Sequence, residues 1–279
     1  METLQNCISM KNITKSFAGS KALDDVSIDF NAGKVHGLIG ANGAGKSTLI
    51  KILSGVYHLD DGEIIIDGQK VRINTPKDAS ELGLSFIHQE LNLVESFNII
   101  ENLTLGEKKS TTMGFINWKP MEKKVKEVID IVGLDKSIYT PVKNFTVAEQ
   151  WLVAIAKALY QDAKYIAMDE PTAALSEEEV KILFGIIRNL TNHGIGIIYV
   201  SHRLDEIMEL CYEITILKDG KKVLSSKVND ISKNEIITAI AGHKITSIDR
   251  VEYVDNQEPV ILEVKNLSDG QSFKNINFH

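Results

Sequence analysis

Cysteine is scarce: Cys7 and Cys211 are the only two in 279 residues, far apart and with no metal-ligand spacing around either. A disulfide framework is therefore excluded, and two unpaired thiols in a reducing compartment are expected. There is also no uninterrupted apolar stretch of the roughly 18 residues that a bilayer-crossing helix needs. The opening residues Met1-Glu-Thr-Leu-Gln-Asn6 lack the basic region and apolar core of a secretory leader, so none is expected. Positive charge is in deficit, with 31 Lys and Arg against 38 Asp and Glu for a net charge of -7, which gives no basis for a nucleic-acid partner. What remains is 43% apolar and 25% charged, an ordinary globular composition in a chain long enough to bury a large core.

Two stretches carry chemistry. Gly40-Ala41-Asn42-Gly43-Ala44-Gly45-Lys46-Ser47-Thr48 matches the P-loop pattern in full. Such a loop offers successive backbone N–H groups to phosphates at a helix N-terminus, where the helix dipole also favours anions. Lys46 is expected to reach the β- and γ-phosphates of ATP and Ser47 to ligate Mg²⁺. The second stretch, Tyr165-Ile-Ala-Met-Asp169-Glu170-Pro171, is an apolar strand ending in paired acids. A carboxylate at the end of a buried strand is costly unless paired or metal-bound, and Mg²⁺ held through Ser47 supplies a reason for Asp169. Glu170 is then placed to orient or deprotonate water. His202 follows another strand-like run, Ile197-Ile-Tyr-Val-Ser201, and is a candidate γ-phosphate contact. Gln89, after Leu84-Ser-Phe-Ile87, has a neutral oxygen able to touch Mg²⁺ or the attacking water.

Periodicity orders the rest. Period-two runs at Ile8–Ile13 and Ala22–Phe30 and a turn-bounded Gly62–Gly68 make an antiparallel opening, followed by strand Lys34–Ile39, the loop, and a helix from Ser47 to Leu53. Helical texture dominates from about residue 90 to residue 161. Val125, Val128, Ile129 and Val132 form one apolar stripe, and Leu152, Ile155, Ala156 and Leu159 another. Thr146 with Glu149, and Ser176 with Glu179, have capping-box spacing. Strands return at Tyr165–Met168 and Ile195–Val200, a hairpin follows around Asp219-Gly220, and a helix spans about Asn234–Ile240. The fold expected is α/β: a P-loop core with a mostly parallel sheet, an antiparallel β-subdomain and an inserted helical subdomain.

In this order the motifs resemble those of the ATPase subunit of ATP-binding-cassette transporters, over residues 4–245. The resemblance implies that Phe17 stacks on adenine and that Gly40, Ala41, Asn42, Gly43, Ala44, Gly45, Lys46, Ser47 and Thr48 hold the phosphates. It places the glutamine loop at Gln89 and the signature segment at Phe145 followed by Thr146, Val147, Ala148 and Glu149. The paired acids are Asp169 and Glu170, the loop after them Ala173-Ala-Leu-Ser176, and the histidine switch His202. Ser47, Gln89 and Asp169 are the implied Mg²⁺ ligands, and Glu170, His202, Gln89 and Lys46 the catalytic set. The signature departs from the common Leu-Ser-Gly-Gly-Gln, the Ala-Ala-Leu-Ser stretch lacks the usual aspartate, and Ala41 stands where a glutamate is usual in the subgroup resembled.

The wording Phe86-Ile-His-Gln-Glu-Leu91 and the Val-Ala signature resemble the subgroup that energises bacterial uptake of simple sugars. That implies a peripheral protein on the cytoplasmic face of the cell membrane. It would be seated under permease subunits through about Asn92–Leu105 and served indirectly by an extracellular sugar-binding protein. The signature helix would close over ATP on a second cassette. The alternatives are a soluble cassette ATPase uncoupled from transport and a non-hydrolytic ATP-binding regulatory module.

The end of the chain repeats its beginning. Leu262-Glu-Val-Lys-Asn-Leu-Ser268 echoes Ile8-Ser-Met-Lys-Asn-Ile-Thr14, and Phe273-Lys-Asn-Ile-Asn-Phe278 echoes Leu23-Asp-Asp-Val-Ser-Ile28. The expected domains are thus 1–245, a linker 246–258, and 259–279 as the truncated start of a second cassette. That last segment is expected to find no complete sheet and to be disordered or loosely packed.

Overall fold

The computed structural model describes residues 7–106, 111–112, 115–116, 118–242, 262–270 and 272–278. Contacts divide the chain into two units, Met1–His243 and Lys244–His279. The expected linker 246–258 lies outside the described residues.

In the first unit, alternation makes the first sheet. Strands β1 (Cys7–Phe17) and β2 (Ser20–Asn31) pair antiparallel and send Ile8, Met10, Ile13, Val26, Ile28 and Phe30 into the core. The turn-bounded segment at Gly62–Gly68 becomes β4 (Asp61–Ile66), which pairs with β1 on one side and the short β5 (Gln69–Val71) on the other. The sheet order is β2-β1-β4-β5, antiparallel throughout.

The second sheet holds β3 (Val35–Ile39), β6 (Leu84–Ile87), β9 (Tyr165–Asp169), β10 (Gly196–Val200), β11 (Glu213–Lys218) and β12 (Lys221–Lys227), in the order β12-β11-β3-β10-β9-β6. Only the β11–β12 hairpin is antiparallel. The Asp219-Gly220 turn has both residues at positive φ, as the two-residue hairpin geometry requires. β3 and β10 are buried along their whole length, which is why they read as continuous apolar runs. Their side chains part to two cores: Leu38, Ile198 and Val200 face the antiparallel sheet, while Val35, Ile39, Ile197 and Tyr199 face the helical segment. A two-residue pair, β7 (Thr111–Thr112) with β8 (Phe115–Ile116), forms a small separate hairpin.

Helix α1 (Lys46–Leu53) follows the P-loop, and Gly55 at φ 70 ends it. The expected stripes are buried in α4 (Lys119–Val132) and α5 (Val147–Tyr160), which pack on each other; Leu159 stays half-buried. Helices α6 (Glu177–Asn192) and α8 (Lys233–Ala241) also follow the expectation. The capping boxes at Thr146 and Ser176 are present with both reciprocal hydrogen bonds. Short helices α2 (Pro76–Glu81) and α7 (Leu204–Leu210) were not expected, whereas α3 (Ile99–Leu103) falls in the stretch read as helical; Thr75 with Asp78 and Asn98 with Glu101 form boxes of the same kind.

In the second unit, β13 (Val264–Leu267) and β14 (Ile276–Phe278) form an antiparallel pair of two strands. Its geometry copies β1–β2. Met10↔Ile28 and Ile13↔Val26 correspond to Val264↔Phe278 and Leu267↔Ile276. Asn12 and Asp25 are left-handed at φ 53 and 56, and Asn266 and Asn275 at φ 57 and 54. Thr14 Oγ1 accepts from Asp25 N at 3.2 Å, and Ser268 Oγ accepts from Asn275 N at 3.0 Å. Local side-chain hydrogen bonds order this pair, while its apolar positions Leu262, Leu267, Ile276 and Phe278 remain exposed.

Candidate nucleotide site

Parallel pairing brings the functional segments to one edge. Val200 lies beside Asp169 on one side and Leu38 on the other, so the loops leaving β3, β9 and β10 emerge together. This is where open α/β sheets bind ligands. A cleft of about 400 Å³ there is lined by Asn42, Gly43, Ala44, Gly45, Lys46, Ser47, Thr48, Gln89, Asp169 and Glu170. Size alone does not mark it, since a hollow of about 600 Å³ lies near Asp67 and Lys164. The lining does.

The P-loop bends back under α1 because Gly45 takes φ 105 at the helix N-cap. A Cβ there would lie 2.7 Å from both Ala22 O and Leu23 Cδ2, so β2 runs against the loop's back. Lys46 Nζ donates to Gly40 O at 2.7 Å and Ala41 O at 3.0 Å, which curls the side chain over its own loop. Burial lowers its pKa, while Glu170 and Asp169 pull the other way. Burial, with Glu170 alongside, raises the pKa of Asp169, against the pull of His88, Lys46 and Lys51. The two acids thus have more negative charge between them than Lys46 alone offsets.

Glu170 is left-handed at φ 48, and its N–H donates to Val200 O at 2.9 Å. Its Oε1 lies 2.9 Å from His202 Nδ1. A carboxylate only accepts, so Nδ1 carries the proton in that contact. A second groove, of about 410 Å³, shares Gln89 and Glu170 with the cleft and adds Val147, Gln150 and Trp151 from α5 with Pro171, Ala173 and Ala174.

Residues 23–173 match the family model described as ABC transporter. The chain belongs to this family. Among curated relatives, a ribose import ATP-binding protein of Bacillus licheniformis is 42% identical, over 97% of this chain and 55% of the relative. A galactose/methyl galactoside import ATP-binding protein of Clostridium perfringens is also 42% identical, over 100% of this chain and 54% of the relative. The chain therefore spans about half the length of these relatives. The crystal structure of the ADP conformation of MJ1267, an ATP-binding cassette of an ABC transporter, superposes with TM-score 0.75 at 25% identity. That match covers 86% of this chain and 100% of the other, so the cassette architecture is shared.

Within that architecture the expected site residues divide into three groups. Those from Asn42 to Thr48, with Gln89, Asp169 and Glu170, come together in the cleft, His202 joins through Glu170, and Gly40 and Ala41 are not among its lining residues but accept from Lys46 through their carbonyls. Phe17 sits at the end of the β1–β2 hairpin, 41% exposed and edge-on to Tyr57, and is not among the cleft's lining residues. Thr146 and Val147 are exposed at the start of α5, and Val147 lines the second groove. Glu149 spends its carboxylate locally: it accepts from Thr146 N at 2.9 Å and pairs with Lys136 at 3.1 Å. Burial works against its charge, but these partners outweigh it and hold the carboxyl below its usual pKa.

Sequence reasoning passed over Thr172 and Glu206. Glu206 is 4% exposed and accepts hydrogen bonds from Thr172, Tyr199 and Ser201. The available signal was a carboxylate on the Leu204, Ile207, Leu210 side of α7, four residues after His202.

Proposed function

We propose that the chain binds MgATP in the P-loop cleft and hydrolyses it, as the ATPase subunit that energises import of a simple sugar through a membrane permease. The observation that carries the hydrolytic reading is the 2.9 Å contact between Glu170 and His202 at the rim of a cleft lined by the P-loop and Asp169. Gly40, Ala41 and the loop's N–H groups hold the phosphates, with Lys46 turning from its own carbonyls toward them. Glu170 takes a proton from the attacking water, and the 2.9 Å contact through Nδ1 holds the His202 ring beside it as the candidate γ-phosphate contact.

Ser47, Gln89 and Asp169 would hold Mg²⁺: their donors are all oxygen, as a hard cation requires, and the excess negative charge of the acid pair suits a cation. When bound, the ion neutralises charge on the phosphate oxygens. Phe17, exposed at the hairpin end, would stack on adenine. The signature helix from Thr146, with Val147, Ala148 and Glu149, would close over nucleotide held by a second cassette.

The sugar-import reading is supported by the names of the relatives and by their identity over nearly the whole of this chain. It implies permease subunits, an extracellular sugar-binding protein acting through them, and a peripheral place on the cytoplasmic face of the membrane. The register shared by β13–β14 and β1–β2 supports residues 259–279 as the start of a second cassette after a linker at 246–258.

The test is phosphate release by the chain with MgATP, compared with Glu170→Gln. Turnover should fall by roughly 10²-fold or more while MgATP affinity stays within a few-fold. Equal turnover in the two would remove Glu170 from the reaction, and binding without any turnover in either would leave only a non-hydrolytic module.

A further inference from the structure

Two loops carry the reacting side chains, and one buried carboxylate lies behind both. Glu206 Oε1 accepts from Thr172 Oγ1 at 2.7 Å, and Thr172 stands two residues after Glu170. Glu206 Oε2 accepts from Tyr199 OH at 2.8 Å and from Ser201 Oγ at 3.1 Å, and Ser201 directly precedes His202. Arg203, directly after His202, places Nη1 2.7 Å from Oε1 and donates its backbone N–H to Ser201 Oγ at 3.1 Å. Burial, with the Glu206 charge alongside, pushes the Tyr199 phenol far up, so it stays a donor throughout the working range. Both oxygens of Glu206 are thus satisfied by donors from the segments that flank Glu170 and His202, while Glu206 itself touches neither residue's reacting atoms.

We propose that Glu206 is a positioning residue: it ties the loop after β9 to the loop after β10 and so sets the Glu170–His202 contact. A buried carboxylate is expensive to keep, and removing it strands several donors at once. Purely structural burial would be served as well by a hydrocarbon. The cluster instead spans the two loops whose relative position decides whether Glu170 Oε1 and His202 Nδ1 lie at 2.9 Å. A small displacement there matters, because about 1 Å of misplacement can cost up to ~10²-fold in rate. Gln at this position keeps the shape but removes the charge and replaces one acceptor oxygen with an N–H₂, so a hydroxyl facing it must turn from donor to acceptor, and Arg203, which only donates, competes with the others for the single remaining oxygen.

The kinetic arm of this inference rests on the hydrolytic reading above; the spectroscopic arm does not. The experiment uses the whole chain, ¹⁵N-labelled at histidine, with His202 assigned by its loss in His202→Gln. In the wild type its ring should report the Nδ1-protonated form. In Glu206→Gln it should move toward the Nε2–H form that a free imidazole prefers, and kcat for MgATP should fall about 10-fold or more with KM within about 3-fold. Thr172→Val, a smaller change that removes only the Glu170-side donor, should move both readouts in the same direction and carries the test if Glu206→Gln does not fold. An unchanged ring signal in the folded variant overturns the proposal whatever the rate does. So does a fall in kcat that only tracks the folded fraction lost, measured on the same samples by circular dichroism, since general destabilisation lowers apparent kcat without changing KM. A wild type that never turns over sinks the hydrolytic reading alone, and the ring signal still decides the role of Glu206.

Discussion

His36 makes a pH-dependent stability prediction in the strand that delivers the P-loop. It lies in β3, 4% exposed, with Nε2 2.9 Å from Thr215 Oγ1, while Nδ1 has no hydrogen-bond partner. Glu213 Oε2 lies 3.8 Å from Nδ1, and Asp29, Lys222 and Lys227 line the adjacent hollow. Burial pushes the pKa of the imidazole from 6.5 to about 4. Between those values the unfolded chain binds a proton that the folded chain refuses, so folding stability rises with pH across the gap. The contribution is fully present above about pH 6.5 and is lost as the pH falls toward the folded-state value. Each pH unit across the gap is worth about 1.4 kcal/mol, so the loss approaches ~2 kcal/mol near pH 5 and ~3 kcal/mol near pH 4. Urea unfolding of the wild type and His36→Gln at several pH values between about 7.5 and 5 measures it. The glutamine retains a partner for Thr215 but does not titrate, and all other groups cancel in the difference. The wild type should therefore lose about 2 kcal/mol relative to the variant on going to about pH 5. Parallel declines in the two proteins would mean that Glu213 moves in to bond the imidazolium, and the reasoning from burial would fail.

Three further outcomes are expected. Lys46→Ala should weaken MgATP binding itself, read by calorimetry, because it deletes the cation beside the phosphates; unchanged affinity would contradict the assignment. Gly45→Ala should cost about 1–3 kcal/mol from backbone strain alone, before its clash with Ala22 O, and should be visible in a thermal melt. Turnover per molecule should rise with protein concentration as copies pair through the signature helix. A concentration-independent rate from a species that light scattering identifies as monomer would refute the need for two cassettes.

The P-loop and the acid pair were legible because each motif is contiguous, so the residues that meet in the cleft are also neighbours in sequence. The mostly parallel sheet was legible in buried runs such as Ile197–Val200, which a two-sided core explains. The α4 and α5 stripes were readable because 14 residues give several turns of period. Helices α2 and α3, of 6 and 5 residues, give too little period to be delimited, and the capping boxes that start them were passed over. The Glu206 cluster was invisible for a different reason: its donors lie at the ends of two strands that are remote in sequence and adjacent only through the parallel β9–β10 pairing. Burial of His36 could not be foreseen either, since it depends on Phe30 from β2 lying edge-on to its ring at 5.0 Å.

The copied hairpin bears on the order in which the molecule folds. β13–β14 takes the β1–β2 register with its apolar side chains still in water, so the information for that register resides in the hairpin's own asparagine, aspartate, serine and threonine contacts. A ladder specified by its own side-chain contacts needs no distant partner, and a hairpin closes on the scale of about 1–10 μs. The corresponding ladder at Cys7–Asn31 can therefore close as soon as it leaves the ribosome, well before Asp169 and His202 have been synthesised. The wall behind the P-loop is then a surface on which the slower parallel strands assemble, each of which must close a long stretch of chain before it pairs.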